Sequence, residues 1–131
     1  MRNYTDIEES KRLVELGLDP KTADYIWVWD FTSGSINGCQ EIIPGRLEPE
    51  ENDIPAWSLD RLLGLIPTLE EGDSFDIYKC IDSEDPENAG WNIRTKIYTG
   101  PKDFVLIGAG GGKLGDAVFD AVCQLLEKKV L

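Results

Sequence analysis

Two hydrophobic rhythms run along this chain, and the switches between them mark its elements. The first is helical. Ile7, Val14 and Leu18 share one face of a 3.6-residue period, and Leu13 and Leu16 meet across the next turn. Thr5 and Glu8 have the spacing of a capping box, Asp6 adds negative charge to the first turn, and Gly17 supplies a left-handed stop. Asp19-Pro20 then predicts the cap and first position of a short second helix, reaching about Tyr25.

At Tyr25 the period drops to two. Tyr25, Trp27, Trp29 and Phe31 alternate with Ile26, Val28 and Asp30; Ser33-Gly34-Ser35 turns the chain, and Ile36–Ile43 predicts the returning strand of a hairpin. Residues 44–56 read as an acidic, proline-marked loop. Ser58 caps a third helix that carries Leu59, Leu62, Leu63 and Ile66 and stops at Pro67. Alternating strands follow at about Ser74–Ile81 and Trp91–Tyr98, then a short apolar strand at Asp103–Ile107. The glycine-rich stretch Gly108–Gly115 leads to a last helix capped by Asp116, with Val118, Ala121, Val122, Leu125 and Leu126 in one stripe.

The resulting order, α-α-β-β-α-β-β-β-α, predicts an α+β fold. Short connections favour a mostly antiparallel sheet of about four to five strands, with helices packed on one face. A length of 131 residues fits a single domain spanning 1–131, large enough for one core without disulfide or metal support. Its expected core holds Leu13, Leu16, Trp27, Trp57, Leu62, Leu63, Ile77, Ile93, Val118, Val122 and Leu125. The aromatic ladder 25–31 is expected to be core, although the apolar start of its opposite face, Ile26 and Val28, keeps an interface open.

Charge changes this picture most. Residues 48–87 hold thirteen acidic side chains and two basic ones, a formal −11 of the chain's −12. Such a field repels nucleic-acid phosphates and anionic membrane surfaces, so direct nucleic-acid or membrane binding is not expected. No stretch approaches the roughly 18 apolar residues of a membrane span, and the first residues lack a signal-peptide core, so a cytoplasmic location is expected. Cys39, Cys80 and Cys123 are widely spaced and odd in number, which predicts buried free thiols.

The chain contains no histidine. Serine and cysteine triads, imidazole metal sites and histidine pH switches all need one. Any catalysis would rest on carboxylates, lysine, tyrosine or cysteine, and a non-enzymatic role is favoured. Gly110-Gly111-Gly112-Lys113-Leu114-Gly115 matches Gly-x-Gly-x-x-Gly after a strand and before a helix, so Gly110, Gly112, Lys113 and Gly115 are candidates for holding a phosphate or nucleotide. Only 16 residues follow Gly115, too few for the rest of a dinucleotide unit, and Asp116 would repel a phosphate. A plain connection into a capped helix is the simpler account, and no cofactor is expected. Asp82–Asn88 resembles a calcium loop in composition alone.

Three segments carry a family resemblance: Leu16-Gly17-Leu18-Asp19-Pro20-Lys21-Thr22-Ala23-Asp24, Ile54-Pro55-Ala56-Trp57-Ser58-Leu59, and Gly115-Asp116-Ala117 opening the last helix. Together they resemble small acidic proteins of unknown function from gut anaerobic bacteria, often encoded on prophages or other mobile elements. The resemblance implies a genomic setting and no reaction, and the Gly108–Gly112 run departs from it. The expectation is a small accessory or protein-interaction protein that meets a basic partner surface through Glu48, Glu50, Glu51, Asp53, Glu84, Asp85 and Glu87. Two alternatives stand beside it: a DNA mimic that occupies a DNA-binding protein, and a phosphate or nucleotide binder using the glycine segment.

Overall fold

A computed structural model describes residues 3–66, 74–80 and 90–131. The chain is α+β, and the six strands among the described residues form two three-stranded antiparallel sheets where one larger sheet was expected. Residues 2–61 form one compact unit and residues 62–131 another.

The first unit opens with helix α1, Ile7–Glu15. Its capping box lies one residue later than Thr5 and Glu8 predict. The Glu9 amide donates to Asp6 Oδ1 at 2.7 Å, and the Asp6 amide donates to Glu9 Oε1 at 3.1 Å. Either spacing fits the motif, and Asp6 takes the cap because Thr5 is wholly buried elsewhere. The helix ends in a Schellman motif: Gly17 has φ +103, its amide donates to the Val14 carbonyl, the Leu18 amide donates to Leu13, and Leu18 is buried. A 3-10 turn at Pro20–Thr22, capped by the Asp19 side chain, then aims the chain into the sheet.

That sheet is ordered β2-β1-β3, from β1 Tyr25–Asp30, β2 Ser35–Glu41 and β3 Ile54–Ala56. The β1–β2 register shifts between Trp27 and Trp29, where Asn37 and Gly38 face the single Val28. Gly38, at φ +96, provides the left-handed residue that this bulge requires. Strand β3 lies inside the stretch expected to be loop. It is short, it contains Pro55, and it sits at a sheet edge, where a missing amide breaks no ladder. The buried member of β1 is Ile26. Tyr25, Trp27 and Trp29 are half-buried, and Phe31 lies beyond the strand, 71% exposed. Trp27 therefore leaves the expected core, and so does Leu16, also half-buried. Aromatic rings with polar edges suit a part-covered face, whereas Ile26 has no polar atom to leave in water.

Helix α2, Leu59–Leu65, runs across the boundary between the units. Leu62 is fully buried, whereas Leu63 is only half-buried.

The second unit contains β4 Ser74–Cys80, β5 Gly90–Tyr98, β6 Phe104–Gly111 and helix α3, Leu114–Glu127. The sheet order is β4-β5-β6. Helix α3 packs on β6 and β5, burying Ala117, Val118, Ala121, Val122, Leu125 and Leu126. Ile93, Thr95 and Ile97 of β5 and Ile107 and Ala109 of β6 supply the other wall. β4 is an edge strand, and Ile77, expected in the core, is 38% exposed on it.

The glycine stretch is the main revision here. Gly108–Gly111 is the end of β6, paired with β5 from Arg94↔Gly108 to Trp91↔Gly111. A Cβ on Gly111 would lie 2.7 Å from the Asp116 Cβ and 3.0 Å from the Ala117 amide nitrogen. Glycine here lets the strand pass directly beneath the first turn of α3. The cap position of α3 is Lys113, without a side-chain cap bond, and Asp116 sits inside the first turn.

Candidate functional site

The acidic loop between β2 and β3 is the expected site that the described residues show best. It starts with a tight turn. The Ile43 amide donates to the Leu47 carbonyl at 3.0 Å, the Leu47 amide donates back at 2.8 Å, and Gly45 between them has φ +80. Past this turn Asp53 fixes the far end. Its Oδ1 accepts from the Trp29 amide at 2.9 Å, its Oδ2 accepts from the Glu50 amide at 2.8 Å, and its own amide donates to the Glu50 carbonyl. Strand β3 pairs with β1 only as far as Trp27, so Asp53 takes up the next amide of β1 beyond that ladder.

Four of the expected partner-contact residues are thus placed, in two roles. Glu48, Glu50 and Glu51 are exposed. Asp53 is half-buried, and both its carboxylate oxygens are engaged in holding the loop. A shallow hollow of about 280 Å³ is lined by Gly45, Arg46, Glu48, Pro49 and Glu50, which sets one base among the acids. Glu84, Asp85 and Glu87 lie outside the described residues, as does the 82–88 segment weighed for calcium. Among the described residues no three of Cys, Asp and Glu converge on a metal-sized site.

A polar network ties Thr5 and Ser10 to the start of α2. The Thr5 amide donates to the Trp57 carbonyl at 2.9 Å, and the Thr5 Oγ1 accepts from the Trp57 amide at 3.1 Å and meets Ser10 Oγ at 2.8 Å. The Trp57 indole donates to Thr22 Oγ1 at 2.9 Å, and that hydroxyl donates to the Asp19 carbonyl. Asp24 accepts from both the amide and the hydroxyl of Ser58, while Ser58 Oγ accepts from the Arg61 amide as the cap of α2. Every buried side-chain polar atom among the described residues has a partner. This network is structural, and Trp57, fully buried at its centre, anchors it.

The aromatic face of β1 is partly roofed by Tyr4. Its ring stacks on Tyr25 at 5.3 Å and meets Trp27 edge-on at 5.7 Å, while the Trp27 indole donates to the Thr5 carbonyl. Across β2, Cys39 is opposite Trp27, and desolvation pushes its thiol up to about 11, with the Asp24 charge adding to the shift. Such a thiol holds its proton at neutral pH and is a poor nucleophile.

The glycine candidates separate. Gly110 belongs to β6, where a Cβ would stand 3.2 Å from Asn92 Oδ1; Gly115 is buried in α3. Gly112 and Lys113 remain as the exposed connection. The residues are therefore spread over a strand, a two-residue turn and a helix.

One surface was not anticipated: the face of the second sheet turned away from α3. The pairing Asp76↔Arg94, Tyr78↔Asn92, Lys96↔Leu106 and Tyr98↔Phe104 puts these side chains on it together. Its trace in the sequence is the run Phe104–Ile107, apolar at every position, while helix α3 covers one side only. No helix among the described residues is long and apolar enough to cross a membrane. The chain matches no protein-family profile, no curated protein and no solved structure.

Proposed function

We propose that this chain is a non-enzymatic protein-interaction protein that presents the 48–53 loop to a basic surface on a partner. The observation that supports this is the division of labour among the loop's acids. Asp53 is spent on fixing the loop to β1, and Glu48, Glu50 and Glu51 are left in solvent on a backbone that Pro49 and the Asp53 bonds restrain. A charged loop held in one shape loses less entropy on binding than a free one, and its field speeds encounter with a basic partner. The resemblance to mobile-element proteins suits such a role, since a small accessory protein would act on larger machinery. The DNA-mimic alternative is a special case of the same contact.

The test is affinity capture from a lysate of cells that carry the gene, at low and at high salt. The wild-type chain is compared with Glu48→Gln/Glu50→Gln/Glu51→Gln. Exposed charges are screened beyond about 8 Å at physiological ionic strength. Capture of a defined basic protein that is lost in the triple variant and at high salt is the expected result. Equal capture of the same protein by the triple variant refutes the role of the loop.

A further inference from the structure

We propose that the open face of the β4-β5-β6 sheet binds an extended acidic peptide segment of a partner protein, with two acids at alternate positions and an apolar side chain two residues beyond them. This goes beyond the role given to the acidic loop and uses none of its residues. Along β5, Arg94, Lys96 and Tyr98 follow one another on that face. The Arg94 guanidinium lies 5.5 Å from the Tyr78 ring centre, and the Lys96 ammonium lies 4.4 Å from Phe104 and 5.0 Å from Tyr98. Aromatic neighbours hold these two cations in place and shed part of their water, which strengthens pairing with an incoming anion.

Beside them Leu106 is 62% exposed and Phe104 is 47% exposed, in edge-to-face contact with Tyr98. A groove of about 410 Å³ runs over this face, lined by Ser74, Asp76, Arg94, Lys96, Leu106 and Gly108 among others. Gly108 has nothing within 4 Å of its Cβ position, so the floor is open there.

Spacing and charge together select the occupant. Residues i and i+2 of a strand are roughly 7 Å apart on one face, and so are alternate side chains of an extended peptide. Acids at two such positions reach Arg94 and Lys96, and the next side chain in the row covers Tyr98 and Phe104. An exposed apolar patch that carries two cations complements an acidic, apolar segment. Two cations with Asp76 opposite Arg94 match the acids of a short segment and offer little neutralisation to a nucleic-acid backbone.

The experiment is an NMR titration of the full 15N-labelled chain. The probe is a seven-residue peptide with serine at odd positions and leucine, glutamate and glutamate at the even ones; oligothymidine and protein dilution are run beside it. Saturable shifts confined to amides of 92–98 and 104–108, weakened about tenfold by Arg94→Gln/Lys96→Gln and also by Leu106→Ser, are expected. Thermal melts establish that each variant folds, and if Leu106→Ser does not, the double variant decides alone. The proposal fails on no saturation at millimolar peptide, or on equal affinity in the double variant. It also fails if oligothymidine binds this face more tightly than the peptide does. Self-association abolished by the double variant would make a second copy the occupant and would equally overturn it.

Discussion

At the scale of single residues, Asp53, expected as a contact residue, holds the loop to β1, and Thr5 and Trp57 hold the start of the chain to the start of α2. Trp57 is fully buried and bonded through its indole, so Trp57→Ala should cost about 3–5 kcal/mol in thermal or denaturant unfolding. Thr5→Val keeps the shape but orphans the Trp57 amide, and a loss of about 1–3 kcal/mol is expected; unchanged stability would show that the Thr5 hydroxyl is dispensable. Cys39 gives a pH signature. Its thiol sits two units above the ordinary 9, so its thiolate fraction at pH 8 falls roughly a hundredfold, partly offset by the greater nucleophilicity of a more basic sulfur. Iodoacetamide should modify Cys39 about tenfold more slowly than a free thiol, with the rate still rising above pH 10. The folded state keeps this proton longer than the unfolded state does, so the contribution of Cys39 to stability is intact below about pH 9 and declines as pH rises toward 11. Trp57 was legible as core because an indole flanked by Ala56 and a capping serine has no other place to go. Thr5 was not, because a threonine next to Asp6 fits a cap equally well, and only the partner 52 residues away decides between them.

At the scale of elements, period and capping located the three α-helices and five of the six strands among the described residues to within a few residues. Strand β3 escaped notice because three residues with a central proline make no period, and their pairing with β1 is a long-range contact. The glycine segment was misjudged for a related reason. Glycine in sequence signals a turn, but here it marks a strand packed too closely beneath a helix to carry a side chain. This distinction can be measured. Gly111→Ala should destabilise the protein by about 1–3 kcal/mol, because its Cβ would meet backbone and the Asp116 stem. Gly112→Ala, with nothing within 4 Å, should stay within about 0.5 kcal/mol of wild type. Equal effects from the two in denaturant unfolding would contradict the placement of Gly111 in β6.

At the scale of the whole molecule, sequence patterns gave the α+β class but not the division of its strands. Alternation shows which residues share a face and is silent on which strands share a sheet, so five expected strands looked like one layer. The charge map was legible from the outset, since it needs only a count; the separation of Asp53 from Glu48, Glu50 and Glu51 needed coordinates. On this account the acidity acts through a fixed loop, beyond any benefit to solubility. The most direct measurement is zero-length carbodiimide cross-linking of the wild-type chain to a partner captured at low salt, with the linked peptides mapped by mass spectrometry. Links joining Glu48, Glu50 or Glu51 to partner lysines are predicted. Links that arise only from other carboxylates, with these three unmodified by the partner, would contradict it.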